Sequence, residues 1–227
     1  MKKLIVIPAR GGSKGIPKKN IYPLNGKPLI AYTLDLLAQM QLEDVDVAVS
    51  TDSAEIKSVA GQYPGVAVID RPDELSGDTA STEQALLHAL DIMEEKCGTR
   101  YSAVITLQVT SPLRKADTLR KFIENYESNF PEYDALLSLN ENRTDFWIKK
   151  EDGRFERLQK NAPRLRQKRK PLYSENSAYY ITNVDALRKT CSVLGTRANG
   201  YIISDVEAVD INEPIDILIA ESLLQSV

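Results

Sequence analysis

One histidine, one tryptophan and two cysteines are all that this 227-residue chain holds of those types, and the scarcity excludes several chemistries. Cys97 and Cys191 stand alone, without the paired spacing that zinc or a redox disulfide needs. They read as reduced thiols, which points to the cytoplasm. His88 falls inside an apolar-periodic helix and reads as a packing residue, so no histidine base is offered. No apolar run approaches the ~20 residues that cross a bilayer. The opening "MKKLIVIPAR" is only briefly apolar before Pro8 and Arg10, and reads as a strand rather than a leader. Neither sign of charge dominates: 29 basic and 32 acidic residues leave a net −3, so no global field points to nucleic acid or membrane. Internal repeats and low-complexity tracts are missing as well.

What is present suits one medium domain. Hydrophobic residues make up 42% and charged residues 27%, enough apolar mass for a real core. Over the first 130 residues, strand patterns alternate with helix patterns. Strands are expected at 4–9, 45–50, 66–69 and 103–108, and helices at 28–40, 53–63, 81–96 and about 115–129. Pro28 follows the turn-forming Asn25-Gly26, and Ser81 with Gln84 spells a capping box. Asp52 reads as the cap of helix 53–63. Apolar strands between amphipathic helices imply an α/β fold with a mostly parallel sheet covered on both faces. From 130 to 183 the rhythm changes to an antiparallel insertion, with a hairpin turning at Asp152-Gly153 and a basic stretch "RLRQKRKP", a natural lid or dimer contact. A strand at 201–204 and a last helix, with Pro214 in its first turn, close the core.

Ligands of parallel sheets sit beyond the carboxyl ends of strands. The first such place is "VIPARGGSKGIPKKN" (6–20), where glycines allow close backbone approach and Arg10, Lys14, Lys18 and Lys19 supply positive charge. The spacing fits neither a Walker loop nor the dinucleotide fingerprint, because Pro17 and further loop residues precede any helix. A solvated lysine-rich turn is the plain alternative. Three other segments favour phosphate binding. "RPDELSGDTAST" (71–82) is a polar loop leading into a helix, "LQVTSPLR" (107–114) puts Gln108 at a strand end, and "VDIN" offers Asp210. Phosphate cations, polar base readers and a carboxylate for Mg²⁺ together describe a nucleotidyl-transfer site.

Taken in order, "PARGGSKGIPKKN", "STD", "RPDELSGDTAST", "LQVTSPLR", "SENSAYYI" and "VDINEPID" resemble the acylneuraminate cytidylyltransferases, over about residues 4 to 220. The resemblance implies a Rossmann-like, doubly wound, mostly parallel sheet of the sugar nucleotidyltransferase type, in a single domain spanning 1–227. It implies a homodimer made through the 130–183 insertion, CTP and a nine-carbon 2-keto acid as substrates, and Mg²⁺ as cofactor. It also implies roles. Arg10 and Lys14 would hold the β and γ phosphates, Lys19 the α-phosphate and Asn20 the nucleoside. Gly12 and Ser13 would also lie against the nucleotide. Arg71, Ala80 and Thr82 would read cytosine, while Gln108, Arg166 and Tyr179 would meet the sugar. Asp210 would bind Mg²⁺ with Asn212, which stands where the family commonly shows a second aspartate. Arg10, Lys19 and Asp210 would form the catalytic set.

Other roles for these residues stay open. Thr82 adjoins the Ser81 cap, Gln108 could bond only backbone, and Asn212 could cap the final helix. Ser174 and Ser177 also depart from bacterial patterns, leaving the choice of sugar open. Activation of an eight-carbon acid, a nucleotide-binding module without catalysis and an RNA-binding surface at 164–170 are the competing functions.

Overall fold

The structure, a computed structural model, describes residues 2–13, 15–40 and 42–225. Its first strand, β1 (Lys3–Pro8), has Leu4 to Ile7 wholly buried, as a strand covered on both faces must be. The hairpin β2 (Pro23–Leu24) and β3 (Lys27–Pro28) follows, turned by Asn25 and Gly26 at φ of 46° and 78°. Both values are left-handed, as a tight two-residue hairpin requires. Pro28 closes β3, and α1 runs from Leu29 to Met40. Next come β4 (Val45–Thr51), α2 (Ala54–Ala60), β5 (Val66–Asp70), α3 (Thr82–Cys97), β6 (Ala103–Thr106) and α4 (Ala116–Asn129). The Ser81–Gln84 capping box is formed in full. The cap of α2 is Ser53, so Asp52 is left for another task.

Beyond α4 lie β7 (Ala135–Asn142), β8 (Trp147–Lys149), β9 (Phe155–Arg157), β10 (Leu172–Asn183), α5 (Val184–Thr190), β11 (Ala198–Ile202) and α6 (Pro214–Leu224). Seven strands form one sheet in the order β11-β7-β10-β6-β1-β4-β5. β10 pairs antiparallel with β6 and β7, and every other pairing is parallel. The 130–183 stretch therefore contributes β7 and β10 to the central sheet. Only the β8–β9 hairpin between them makes a small sheet of its own.

The last strand begins three residues before the expected 201, because Gly200 can lie beside the Leu139 side chain, where a Cβ would collide. The alternation of β1 splits the core. Ile5 and Ile7 face a layer with Leu34 of α1, Ile56 of α2, Phe122 of α4 and Ile217 of α6. Leu4 and Val6 face Leu86 and Leu90 of α3 and Leu187 of α5. Among the described residues no helix is long and apolar enough to cross a membrane.

Chain order reverses about β1, since β4 pairs on one side of it and β6 on the other. Loops leaving β1 and β6 diverge there and open a crevice. Phe122 anchors the layer beneath it, fully buried with its ring 5.5 Å from Tyr179 and 5.6 Å from Tyr201. Phe122→Ala should therefore destabilise the fold by about 3–5 kcal/mol. Urea unfolding followed by circular dichroism measures this, and a loss near zero would show that this core layer is not shared.

Candidate active site

The loop after β1 is built before any ligand arrives. Gly11 donates its amide to Asp52 Oδ1 at 2.8 Å, the task left to Asp52 once Ser53 caps α2. Ser13 Oγ donates to the Ile16 carbonyl at 2.5 Å and accepts from the Lys19 amide at 3.1 Å, closing the loop on itself. Ile16, 4% exposed, plugs it into the core. Asn20 donates to the Arg10 carbonyl at 2.8 Å, tying the loop's two ends together. Lys18, at φ 52°, takes a left-handed turn that aims the next residue back toward the sheet.

That next residue is Lys19. Its Nζ donates to the Ile211 carbonyl at 2.8 Å and to Asn212 Oδ1 at 3.2 Å, across 192 residues of sequence. The loop backbone follows, for a Cβ on Gly15 would lie 2.6 Å from the Asn212 carbonyl oxygen. Only glycine allows that approach. On its far side, the 210–212 stretch is held by the Ile211 amide on the Thr110 carbonyl at 2.8 Å. The glycine-rich loop, the strand end after β6 and the segment before α6 therefore meet at one edge of the crevice.

The other wall comes from the 71–82 loop. Arg71 is buried and donates to the Ser50 hydroxyl at 3.0 Å and to the Ser50 carbonyl at 2.7 Å. Arg10 reaches over to the Gly77 carbonyl and to Asp78 Oδ1, both at 3.2 Å. Between the walls lies a cleft of about 410 Å³, the size of a small-ligand site. Arg10, Gly12, Ser13, Lys19, Asn20, Arg71, Ala80, Thr82, Gln108 and Asn212 all line it. Lys14 lies outside the described residues.

The electrostatics favour an anion. Burial lowers the pKa of Lys19, opposed by Asp210 and Asp216, and the charge of Arg10 lowers it further. Arg71 is lowered in the same way by burial and by Arg10, against the pull of Asp52. Cations that crowd one another in a half-dry cleft are relieved by a polyanion.

One expected role changes, and the structure fixes the place of two further residues. Tyr179 is wholly buried and does not line the cleft. Its hydroxyl donates to Glu207 at 3.0 Å and its ring packs on Phe122, so its role is structural rather than sugar binding. The neighbouring Tyr180 is also buried and outside the cleft lining. Its hydroxyl donates to Glu175 at 2.8 Å, and burial, Glu175 and the Asp210 charge all push its pKa up. Arg166 sits on an exposed single turn, residues 166–168, and does not line the cleft of its own chain. Asn212 does not cap α6. Glu213 is the cap, in a capping box with Asp216, and Asp216 also accepts the Asn212 amide at 2.9 Å.

Arg114 is the residue whose work the sequence hid. It is buried, burial pushes its pKa down to about 10, and it donates to the carbonyls of Gln108 and Ala178 and to Thr33 Oγ1. It thereby fixes the strand end that presents Gln108. Nothing in "SPLR" separates such a buried clamp from a ligand-facing arginine.

A divalent cation can be tested against the donors. No cluster of three or more His, Cys, Asp or Glu able to hold a metal exists among the described residues. Asp210 nevertheless has a buried Oδ1 without a hydrogen-bond partner, while its Oδ2 accepts from Asn212 Nδ2 at 2.6 Å. Asp210 does not itself line the cleft but adjoins Asn212, which does, and one unpartnered carboxylate oxygen beside a cation-lined cleft fits Mg²⁺, which uses one or two carboxylates and completes its shell with phosphates and water.

Comparison with known proteins agrees with this geometry. A family model described as "Cytidylyltransferase" matches residues 4–217. N-acylneuraminate cytidylyltransferase of Streptococcus agalactiae serotype III is 31% identical over 96% of this chain and 52% of its own length. The chain thus spans about half of that relative. CMP-N,N'-diacetyllegionaminic acid synthase of Legionella pneumophila is 29% identical over 99% of the chain and 97% of its own. Pseudaminic acid cytidylyltransferase of Campylobacter jejuni is 39% identical over 57% of the chain and 55% of its own. Among solved structures, CMP:2-keto-3-deoxy-manno-octonic acid synthetase complexed with CTP superposes with a TM-score of 0.71 at 18% identity, covering 100% of this chain and 99% of its own. The likeness at that identity is one of fold.

The Gly15–Asn212 approach makes a specific demand. Gly15→Ala should push the loop off the 210–212 segment and lower turnover about 10²-fold, as displacements of about 1 Å do. The far-UV spectrum should stay unchanged. Wild-type turnover in this variant would mean that the loop has slack at this point.

Proposed function

The chain is a member of the cytidylyltransferase family, and on that premise we propose that it activates an acidic nine-carbon 2-keto sugar with CTP, giving the CMP-sugar and pyrophosphate. The observation that carries the reading is the convergence of Arg10, Lys19 and Arg71 on a cleft at the carboxyl ends of the strands, with Lys19 tied to the Ile211 carbonyl and to the Asn212 side chain beside Asp210. Relatives named for sialic, legionaminic and pseudaminic acids support the sugar class.

In the proposed reaction the anomeric hydroxyl oxygen of the sugar attacks the α-phosphorus in line. The bond to the bridging oxygen breaks, pyrophosphate leaves with the electron pair, and the hydroxyl proton passes to water. Little covalent work falls to the protein, so its part is positioning and charge neutralisation. Arg10 and Lys19 hold the phosphates, with the Gly12 and Ser13 backbone beside them. Asn20 meets the nucleoside, and Arg71, Ala80 and Thr82 form the base pocket. Lys19, tied across the cleft to the Ile211 carbonyl, stabilises charge that builds on the α-phosphate, a contact worth ~10²–10³ in rate when removed from comparable sites. Gln108 takes the sugar side. Asp210 Oδ1 would hold Mg²⁺, which polarises the α-phosphate and lowers the pKa of the attacking hydroxyl.

A homodimer is part of the proposal. The β8–β9 hairpin exposes Trp147 by 53%, Ile148 by 54% and Phe155 by 63%, large apolar surfaces that lack cover within one chain. It is a firm platform, since Arg157 pairs with Asp145 at 3.1 and 2.6 Å. Arg169 caps the carbonyls of Arg143, Pro163 and Arg164. On such a platform, Arg166 is offered to the cleft of a second subunit.

Pyrophosphate release, assayed for four nucleoside triphosphates against several keto acids with and without Mg²⁺, tests the activity. Release should require CTP, a nonulosonic acid and Mg²⁺, and Lys19→Ala should abolish it with the fold intact. CTP binding without release across all acids would leave a binding module, and release with the eight-carbon acid alone would change the substrate. Light scattering tests the assembly. The wild type should be a dimer and Trp147→Glu with Phe155→Glu a monomer, whereas a monomeric wild type at micromolar concentration removes the hairpin interface.

A further inference from the structure

The side chain of Asn212 is held at both ends. Its Oδ1 accepts from Lys19 Nζ at 3.2 Å, and its Nδ2 donates to Asp210 Oδ2 at 2.6 Å. Its main chain is pinned as well, the amide by Asp216 Oδ2 at 2.9 Å and the carbonyl by close packing on Gly15. Of side chains this short, only a carboxamide accepts from an ammonium with one atom while donating to a carboxylate with another. An aspartate here would turn an oxygen toward Asp210 Oδ2 with no proton between them. Two such charges persist side by side only by sharing a proton or a cation.

The bridge has a consequence for Asp210. One carboxylate oxygen is closed by Asn212, and the other, Oδ1, is buried without a hydrogen-bond partner. We propose that Asn212 is a positioning residue and not a metal ligand. It engages Asp210 Oδ2, orients Oδ1 and holds Lys19 beside it, so Asp210 Oδ1 is the oxygen of that carboxylate left without a partner for a divalent cation. One such oxygen is too little to hold a strongly hydrated, octahedral ion, which keeps its waters and draws its other ligands from phosphates. The cation therefore enters with the triphosphate and does not bind ahead of it. The inference rests on the CTP reading and adds to it an order of assembly.

Mn²⁺ titration followed by electron paramagnetic resonance tests this, without nucleotide and with the α,β-methylene analogue of CTP. The wild type should take up Mn²⁺ with the analogue and show no binding at micromolar concentrations without it. Asn212→Asp should gain nucleotide-independent Mn²⁺ binding at concentrations where the wild type shows none, because a second carboxylate replaces the amide. Asn212→Ala should lower kcat while the KM for CTP moves less. Tight Mn²⁺ binding by the nucleotide-free wild type overturns the inference, and that measurement needs no variant to fold. Unaltered Mn²⁺ affinity in a folded Asn212→Asp chain also overturns it. Calorimetry with the analogue alone separates the two levels, since an analogue that fails to bind brings down the CTP reading itself.

Discussion

A lysine on the first loop and a backbone carbonyl almost at the other end of the chain hold this site together. The Lys19–Ile211 hydrogen bond spans 192 positions of sequence and sits where the loop backbone touches the Asn212 carbonyl across Gly15. Neither contact forms until β1 lies in the sheet and α6 has packed beneath it. The cleft is therefore a product of the whole fold, and its cations are fixed before a ligand is present. Such preorganisation is what electrostatic catalysis relies on, because the groups do not have to reorient as charge develops.

The second constraint is balance. Arg10, Lys19 and Arg71 share a cleft in which burial already disfavours the charges of Lys19 and Arg71, and acidic groups placed around it keep the cations in place. Asp78 on Arg10, Asp52 on the loop amide and Asp210 near Lys19 each offset part of the field without filling the cleft. Cations so crowded are relieved when a polyanion enters.

Local patterns were plain in the sequence and long-range ones were not. The Ser81–Gln84 box and the Asn25-Gly26 turn formed as expected, and the buried strand expected at 4–9 runs from Lys3 to Pro8; all three follow from neighbours within four residues. The loops at 10–20 and 71–82 could be located because parallel sheets place ligands at strand ends. The tyrosine of β10 was misjudged for a physical reason. The register shifts between Glu175 and Tyr180, so simple alternation does not tell which of Tyr179 and Tyr180 turns from the core. Helix α5, seven residues with little periodicity, left no signal strong enough to read. Asn212 looked like a cap or a ligand because its type suits both, and only coordinates reveal that Glu213 caps and that the amide bridges two charged groups.

β10 is the only strand of the large sheet that runs backwards. β7 therefore finishes, and β10 starts, at the same rim where the other strands deliver their loops. Everything between Asn142 and Leu172 hangs from that rim like an awning hinged on two adjacent rods. Such an appendage can lengthen, shorten or change its chemistry without disturbing a residue of the layer that carries the cation-lined cleft. One scaffold can thus vary what hangs over the rim while the loops after its parallel strands stay as they are.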